Sequence, residues 1–120
     1  MKVTVKITKN FKTEAKPLLK KYHSLASDLL KLEKELLATP RLGVPLGYDA
    51  FKIRLKITSK GKGKSGGARV ITLVETTLIG IAEYNNDNEV IVNLISIYDK
   101  ADIENISDKE LKDLIRSIKS

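Results

Sequence analysis

The spacing of apolar residues changes from two to about three and a half and back again along this chain, and that change constrains its fold more than any single motif. Over residues 2–8, Val3, Val5 and Ile7 alternate with Lys2, Thr4, Lys6 and Thr8. A period of two puts successive side chains on opposite faces, so this predicts a strand with one buried face. From about residue 11, Phe11, Ala15, Leu18/Leu19 and Tyr22 take helical spacing. Pro17 lacks an N–H and clashes with the preceding turn. The helix is therefore expected to begin near Thr13, with Pro17 in or near its first turn, or else to kink. Leu25, Leu29, Leu32 and Leu36, widened by Leu30 and Leu37, form an apolar stripe opposite Lys31, Glu33, Lys34 and Glu35. This predicts a second amphipathic helix over roughly 24–38. His23-Ser24 is the joint of a helical hairpin, and Thr39-Pro40 ends it.

Residues 39–50 carry two prolines and two glycines and are expected to be an ordered loop. Period two then returns: Phe51, Ile53, Leu55 and Ile57 face one way, Lys52, Arg54, Lys56 and Thr58 the other. A flexible basic loop is expected at 59–67, S-K-G-K-G-K-S-G-G. A strand follows from Ala68 to Val74, continuing through Leu78–Ala82 with Gly80 as a bulge site. Asn85–Asn88 is a turn, and the apolar run Glu89–Tyr98 is an interior strand. Ser107-Asp-Lys-Glu110 fits a capping box, opening a helix with Leu111, Leu114, Ile115 and Ile118 on one face. The order β-α-α-β-β-β-α predicts an α+β sandwich, a mostly antiparallel sheet packed on a helical hairpin.

At 120 residues with 42% hydrophobic residues, the chain is expected to be a single domain, 1–120, with a modest core. No apolar run approaches the ~18 residues of a membrane span, and no membrane role is expected. The first residues alternate apolar and charged and lack the apolar block of a signal peptide, which points to the cytoplasm. With no cysteine and one histidine, His23, the sequence offers no disulfide, thiol nucleophile or His-rich metal site, so no metal or cofactor is expected. His23, at the joint, is expected to be exposed or to cap a helix.

The charge is localised. Lys+Arg 22 against Asp+Glu 15 gives +7. Lys52, Arg54, Lys56, Lys60, Lys62, Lys64 and Arg69 all lie between Ala50 and Val74, a stretch with no acidic residue. Lys52, Arg54 and Lys56 stand in a row roughly 7 Å apart at the strand rise. Their buried neighbours keep that row from rotating away, and Arg69 opens the next strand. A cationic patch on a sheet is a natural site for a polyanion, nucleic acid first. The same pattern on an exposed strand also serves simply to prevent edge aggregation. The loop K-G-K-G-K-S-G-G is not a Walker loop. Gly67 and Ala68 stand where Lys and Ser/Thr are required, and a strand rather than a helix follows.

F-K-I-R-L, G-K-S-G-G-A-R-V-I, I-S-I-Y-D-K and the terminal E-N-I-S-D-K-E-L together resemble the RelE/ParE superfamily of toxins from type II toxin–antitoxin systems. The likeness is greatest to the RelE/HigB-like branch and covers nearly the whole chain. It implies a RelE-like sandwich and a metal-independent endoribonuclease that cuts mRNA on the ribosome by attack of the 2′-OH. It further implies an acidic antitoxin partner. Carried onto this sequence, the resemblance makes Lys52 the general base, Arg54 a phosphate ligand and Arg69 the transition-state stabiliser. Lys100 becomes an acid or phosphate ligand, and Tyr98 a stacking or proton-transfer group. Lys56, Lys60, Lys62 and Lys64 are the expected RNA-binding cations. Residues 103–106 read I-E-N-I and the chain ends R-S-I-K-S, so the late tyrosine and terminal His-Tyr pair of some members are missing. The superfamily also contains ParE-like inhibitors of DNA gyrase. A plain RNA-binding domain is the third class, although aromatics are only 5% and the basic strand offers none for base stacking.

Overall fold

The most apolar stretch of the chain becomes an interior strand, as its lack of alternation requires. A computed structural model describes residues 2–61, 66–78, 88–102 and 105–119, without the side chains of 77, 78, 88 and 119. In chain order the elements are β1 (Lys2–Ile7), α1 (Lys9–Lys21), α2 (Leu25–Ala38), β2 (Val44–Gly47), β3 (Ala50–Leu55), a 3-10 turn (Thr58–Lys60), β4 (Ala68–Leu78), β5 (Asn88–Asp99) and α3 (Asp108–Lys119). The strands form one sheet in the order β1-β5-β4-β3-β2. β1 runs parallel to β5, and the other pairs are antiparallel. The protein is thus α+β with a five-stranded mixed sheet. No helix among the described residues is long and apolar enough to cross a membrane.

Both faces of the sheet are covered. The α1–α2 hairpin packs Phe11, Ala15, Leu18, Leu25, Leu32 and Leu36 onto Ile53, Leu55, Val70, Val92 and Leu94. Each such leucine or phenylalanine contributes about 1.5–3 kcal/mol over the exposed state. On the opposite face α3 lays Leu111 and Ile115 over Ala50, Ile71, Leu73, Ile95 and Tyr98. Its start follows the expected capping box: the Glu110 N–H donates to Ser107 Oγ at 3.1 Å, and Ser107 Oγ donates to the Glu110 carboxylate at 3.0 Å.

Four local expectations change. Helix α1 begins at Lys9, not near Thr13, and runs through Pro17. Thr8 is the reason: its hydroxyl accepts from the Phe11 N–H at 3.2 Å and donates to the Leu94 carbonyl at 2.9 Å, fixing the helix start to β5. Ile7, expected on the buried face, is 51% exposed, because it closes β1 just before that cap. The expected 39–50 loop contains strand β2. Gly47 pairs with Ala50 around a two-residue turn in which Tyr48 and Asp49 both have positive φ, 59° and 62°. Such turns ordinarily announce themselves with Asn-Gly, which Tyr-Asp does not. Strand β4 extends to Leu78, and its register break with β5 falls between Ile71 and Thr72. The expected continuation through Ile79–Ala82 with Gly80, and the turn residues Asn85–Asp87, lie outside the described residues; Asn88, assigned to that turn, opens β5.

Candidate nucleic-acid interface

The antiparallel registers place the basic residues. Arg54 of β3 lies opposite Arg69 of β4, and Arg69 lies opposite Tyr98 of β5. Residues directly opposite in a ladder share a face, with Cα atoms about 5 Å apart. Arg54, Arg69 and Tyr98 therefore form one row across three strands, on the face that α3 partly covers. Lys52 stands one step along β3 on the same face, opposite Ile71. Lys56, just past β3, keeps the same alternation because Ile57 is extended, with φ −97° and ψ 102°.

Exposure divides this set. Arg54 and Lys56 are open to solvent, and Lys52 is half-buried, its Nζ donating to Asn105 Oδ1 at 2.9 Å. Arg69 and Tyr98 are each 5% exposed. The Arg69 guanidinium donates to its neighbouring Ala68 carbonyl at 3.2 Å. Burial pushes the Tyr98 phenol up, opposed by the Ile106 backbone and the charge of Arg69 and reinforced by Glu110. Tyr98 is thus protonated at neutral pH, suited to giving a proton rather than taking one. The expectation of a wholly open patch is corrected here. Its β3 margin faces water, while Arg69 and Tyr98 are buried, Tyr98 among Leu111, Ile115 and Ile106.

Lys100 is half-buried at the end of this row, where its N–H donates to the Gly67 carbonyl at 3.0 Å. Lys60 stands elsewhere, on the hairpin side of the sheet. It does not stand with the expected RNA-binding row, because its Nζ meets Asp99 Oδ1 at 2.7 Å with 12% and 0% side-chain exposure for the two partners. Tyr22 Oη donates to the other Asp99 oxygen at 2.5 Å, and the Ala101 N–H reaches Oδ1 at 2.9 Å. Burial alone would raise the Asp99 carboxyl. The bonds from Lys60, Tyr22 and Ala101 outweigh it and hold the pKa at about 2. This cluster ties β5, α1 and the 3-10 turn together. It also corrects part of the expected flexible loop: Thr58–Lys60 is a fixed turn. Lys62 and Lys64 lie outside the described residues.

The same turn is held from a second side. Asp28, 4% exposed on α2, accepts from the Thr58 N–H at 2.9 Å, the Thr58 hydroxyl at 2.6 Å and Ser24 Oγ at 2.9 Å. Burial works to raise this carboxyl, and the three bonds prevail to lower it. Neither aspartate's role was visible in the sequence. The one available signal was Asp99 itself, an acid closing an otherwise apolar strand.

The arrangement can do two things chemically. Lys52, Arg54 and Lys56 present cations to a phosphate backbone. Arg69 and Tyr98 place a guanidinium and a neutral phenol beside them. No family model matches the chain, and a search of curated proteins returned no match.

Proposed function

We propose that this chain is a RelE/HigB-like toxin that acts in the cytoplasm as a ribosome-dependent, metal-independent mRNA endonuclease and is restrained by an acidic antitoxin. The observation that carries the reading is the register Arg54–Arg69–Tyr98 across three neighbouring strands. In this account Arg54 and Lys56 grip the backbone phosphates. Lys52 takes the proton of the attacking 2′-OH, and the new bond from that oxygen to phosphorus displaces the 5′-oxygen. Arg69 stabilises the charge that develops on the phosphoryl oxygens. Tyr98 gives its proton to the departing 5′-oxygen, in keeping with its raised phenol, and Lys100 is the other candidate donor or phosphate ligand.

The 5% exposure of Arg69 and Tyr98 favours a second reading, an RNA-binding domain that does not cut and uses only the β3 margin. Inducible expression followed by primer extension on translated mRNA separates the two. The endonuclease predicts cuts at ribosomal A sites that fall at least a hundredfold in Arg69→Ala, the scale of losing one transition-state donor. Intact transcripts in cells whose translation is slowed would leave the binding reading. Intact transcripts together with inhibited gyrase supercoiling would assign the chain to the ParE-like class instead.

A further inference from the structure

One aromatic ring stands open among the described residues. Tyr48 is 51% exposed, whereas Phe11, Phe51 and Tyr98 are buried and Tyr22 is half-buried. It is the second of three successive left-handed residues, Gly47, Tyr48 and Asp49, with φ 88°, 59° and 62°. Glycine adopts that region freely, and aspartate tolerates it. A bulky aromatic residue there is strained. Asp49 has a reason for its place: its carboxylate pairs with Arg41 at 3.1 Å, and its carbonyl accepts from the Val74 N–H at 2.9 Å. Neither turn preference nor burial accounts for Tyr48. What is left is the ring itself, and strain held at an open side chain points to a binding role.

The ring is held in place. Lys112 Nζ of α3 lies over it, 5.7 Å from its centroid, and is itself held by the Asp108 carboxylate at 3.0 Å. Helix α3 packs on the sheet face that carries Ala50 and Ile71. Lys52 lies opposite Ile71 on that face, and its Nζ reaches Asn105, just before α3. Tyr48 therefore flanks the cationic margin on the side to which Lys52, Arg54 and Lys56 project. It stands roughly 13 Å from Lys52 at the strand rise. The basic strand carries cations for phosphates and no ring for a base; the turn before it supplies one.

We infer that Tyr48 is a base-stacking platform at one end of the cationic margin, taking a nucleobase of a single-stranded RNA whose phosphates lie on Lys52, Arg54 and Lys56. Stacking on an aromatic side chain tolerates any base, because every base has a π-face. Tyr48 thus positions the strand rather than reads its sequence. This rests on the RNA-holding half of the proposed function and not on cleavage.

The test uses a fluorescein-labelled octamer of 2′-O-methyl adenylate, which attack of a 2′-OH cannot cut, and a chain of equal length without bases. Affinity of the full protein is read by anisotropy at several salt concentrations. Tyr48→Asn removes the ring and places in the turn a residue that accepts left-handed angles, so its urea midpoint is expected to equal or exceed the wild type's. Its affinity for the octamer is expected to fall about five- to a hundredfold, the worth of one stacked base. The salt slope is expected to stay the same, because no charge is lost. Tyr48→Phe keeps the ring and is expected to bind within about twofold of the wild type. On the baseless chain, wild type and Tyr48→Asn are expected to bind alike. Equal binding of the octamer by Tyr48→Asn and wild type overturns the proposal, as does an equal loss on the baseless chain or in Tyr48→Phe. Any of those results, with a salt slope that still depends on Lys52, Arg54 and Lys56, overturns the stacking role and leaves the interface standing. An octamer that the wild type does not bind at all overturns both.

Discussion

Asp99 is an aspartate whose side chain has no exposure, held by a lysine and a tyrosine that lie 39 and 77 residues away. Its folded pKa of about 2 lies below the ordinary value of 3.8. A depressed carboxyl stabilises the fold fully above its unfolded pKa, and that contribution disappears as pH falls through the folded value. Urea unfolding of the wild type is expected to lose about 2 kcal/mol between roughly pH 4 and pH 2 on this account. Asp99→Asn is expected to cost about 3 kcal/mol at pH 7, because it leaves Lys60 with no opposite charge in a nearly closed site. Its stability is expected to change less than the wild type's over the same acid range. Long sequence separation is why this cluster could not be read beforehand: spacing reports local faces, and nothing local to Lys60 names Asp99. Arg54 and Arg69 are the contrasting case. Alternation fixed the face of each within its own strand, and only the register between strands had to be supplied by the fold.

At the scale of elements, the helices and strands with a clear period were legible, and the exceptions share a cause. Leu25, Leu32 and Leu36 are buried on α2 as the stripe required. β2 was missed because a four-residue edge strand with a Tyr-Asp turn carries neither period nor turn signal. The start of α1 was displaced because Thr8 serves both as an exposed strand position and as a helix cap. Gly67 is an element-scale constraint of another kind. It lets β4 begin tight against the end of β3, with a would-be Cβ 2.1 Å from the Leu55 carbonyl oxygen. Gly67→Ala is expected to destabilise the chain by about 1–3 kcal/mol in urea unfolding, as forced overpacking does. An unchanged midpoint would show that the two strand ends separate freely. At Gly67 the structure requires space rather than an unusual backbone angle.

For the whole molecule, a net charge of +7 coincides with the surplus between Ala50 and Val74. The fold splits that surplus. Lys60 goes into the Asp99 cluster, Arg69 is buried on β4, and Lys52, Arg54 and Lys56 remain at the β3 margin. Charge count alone had assigned all of them to one surface. The central claim is that this margin holds a nucleic-acid backbone, and salt dependence reads it directly. Each phosphate neutralised on a single strand contributes about 0.7 to the slope of log affinity against log salt. Anisotropy with a labelled single-stranded RNA, repeated across salt concentrations, is expected to show a slope that shrinks by about 2 when Lys52, Arg54 and Lys56 are all changed to Gln. Lys60→Gln, at a destabilising but non-interface position, is expected to leave the slope where it was. A slope unchanged in the triple variant, or lowered as much by Lys60→Gln, would contradict the account.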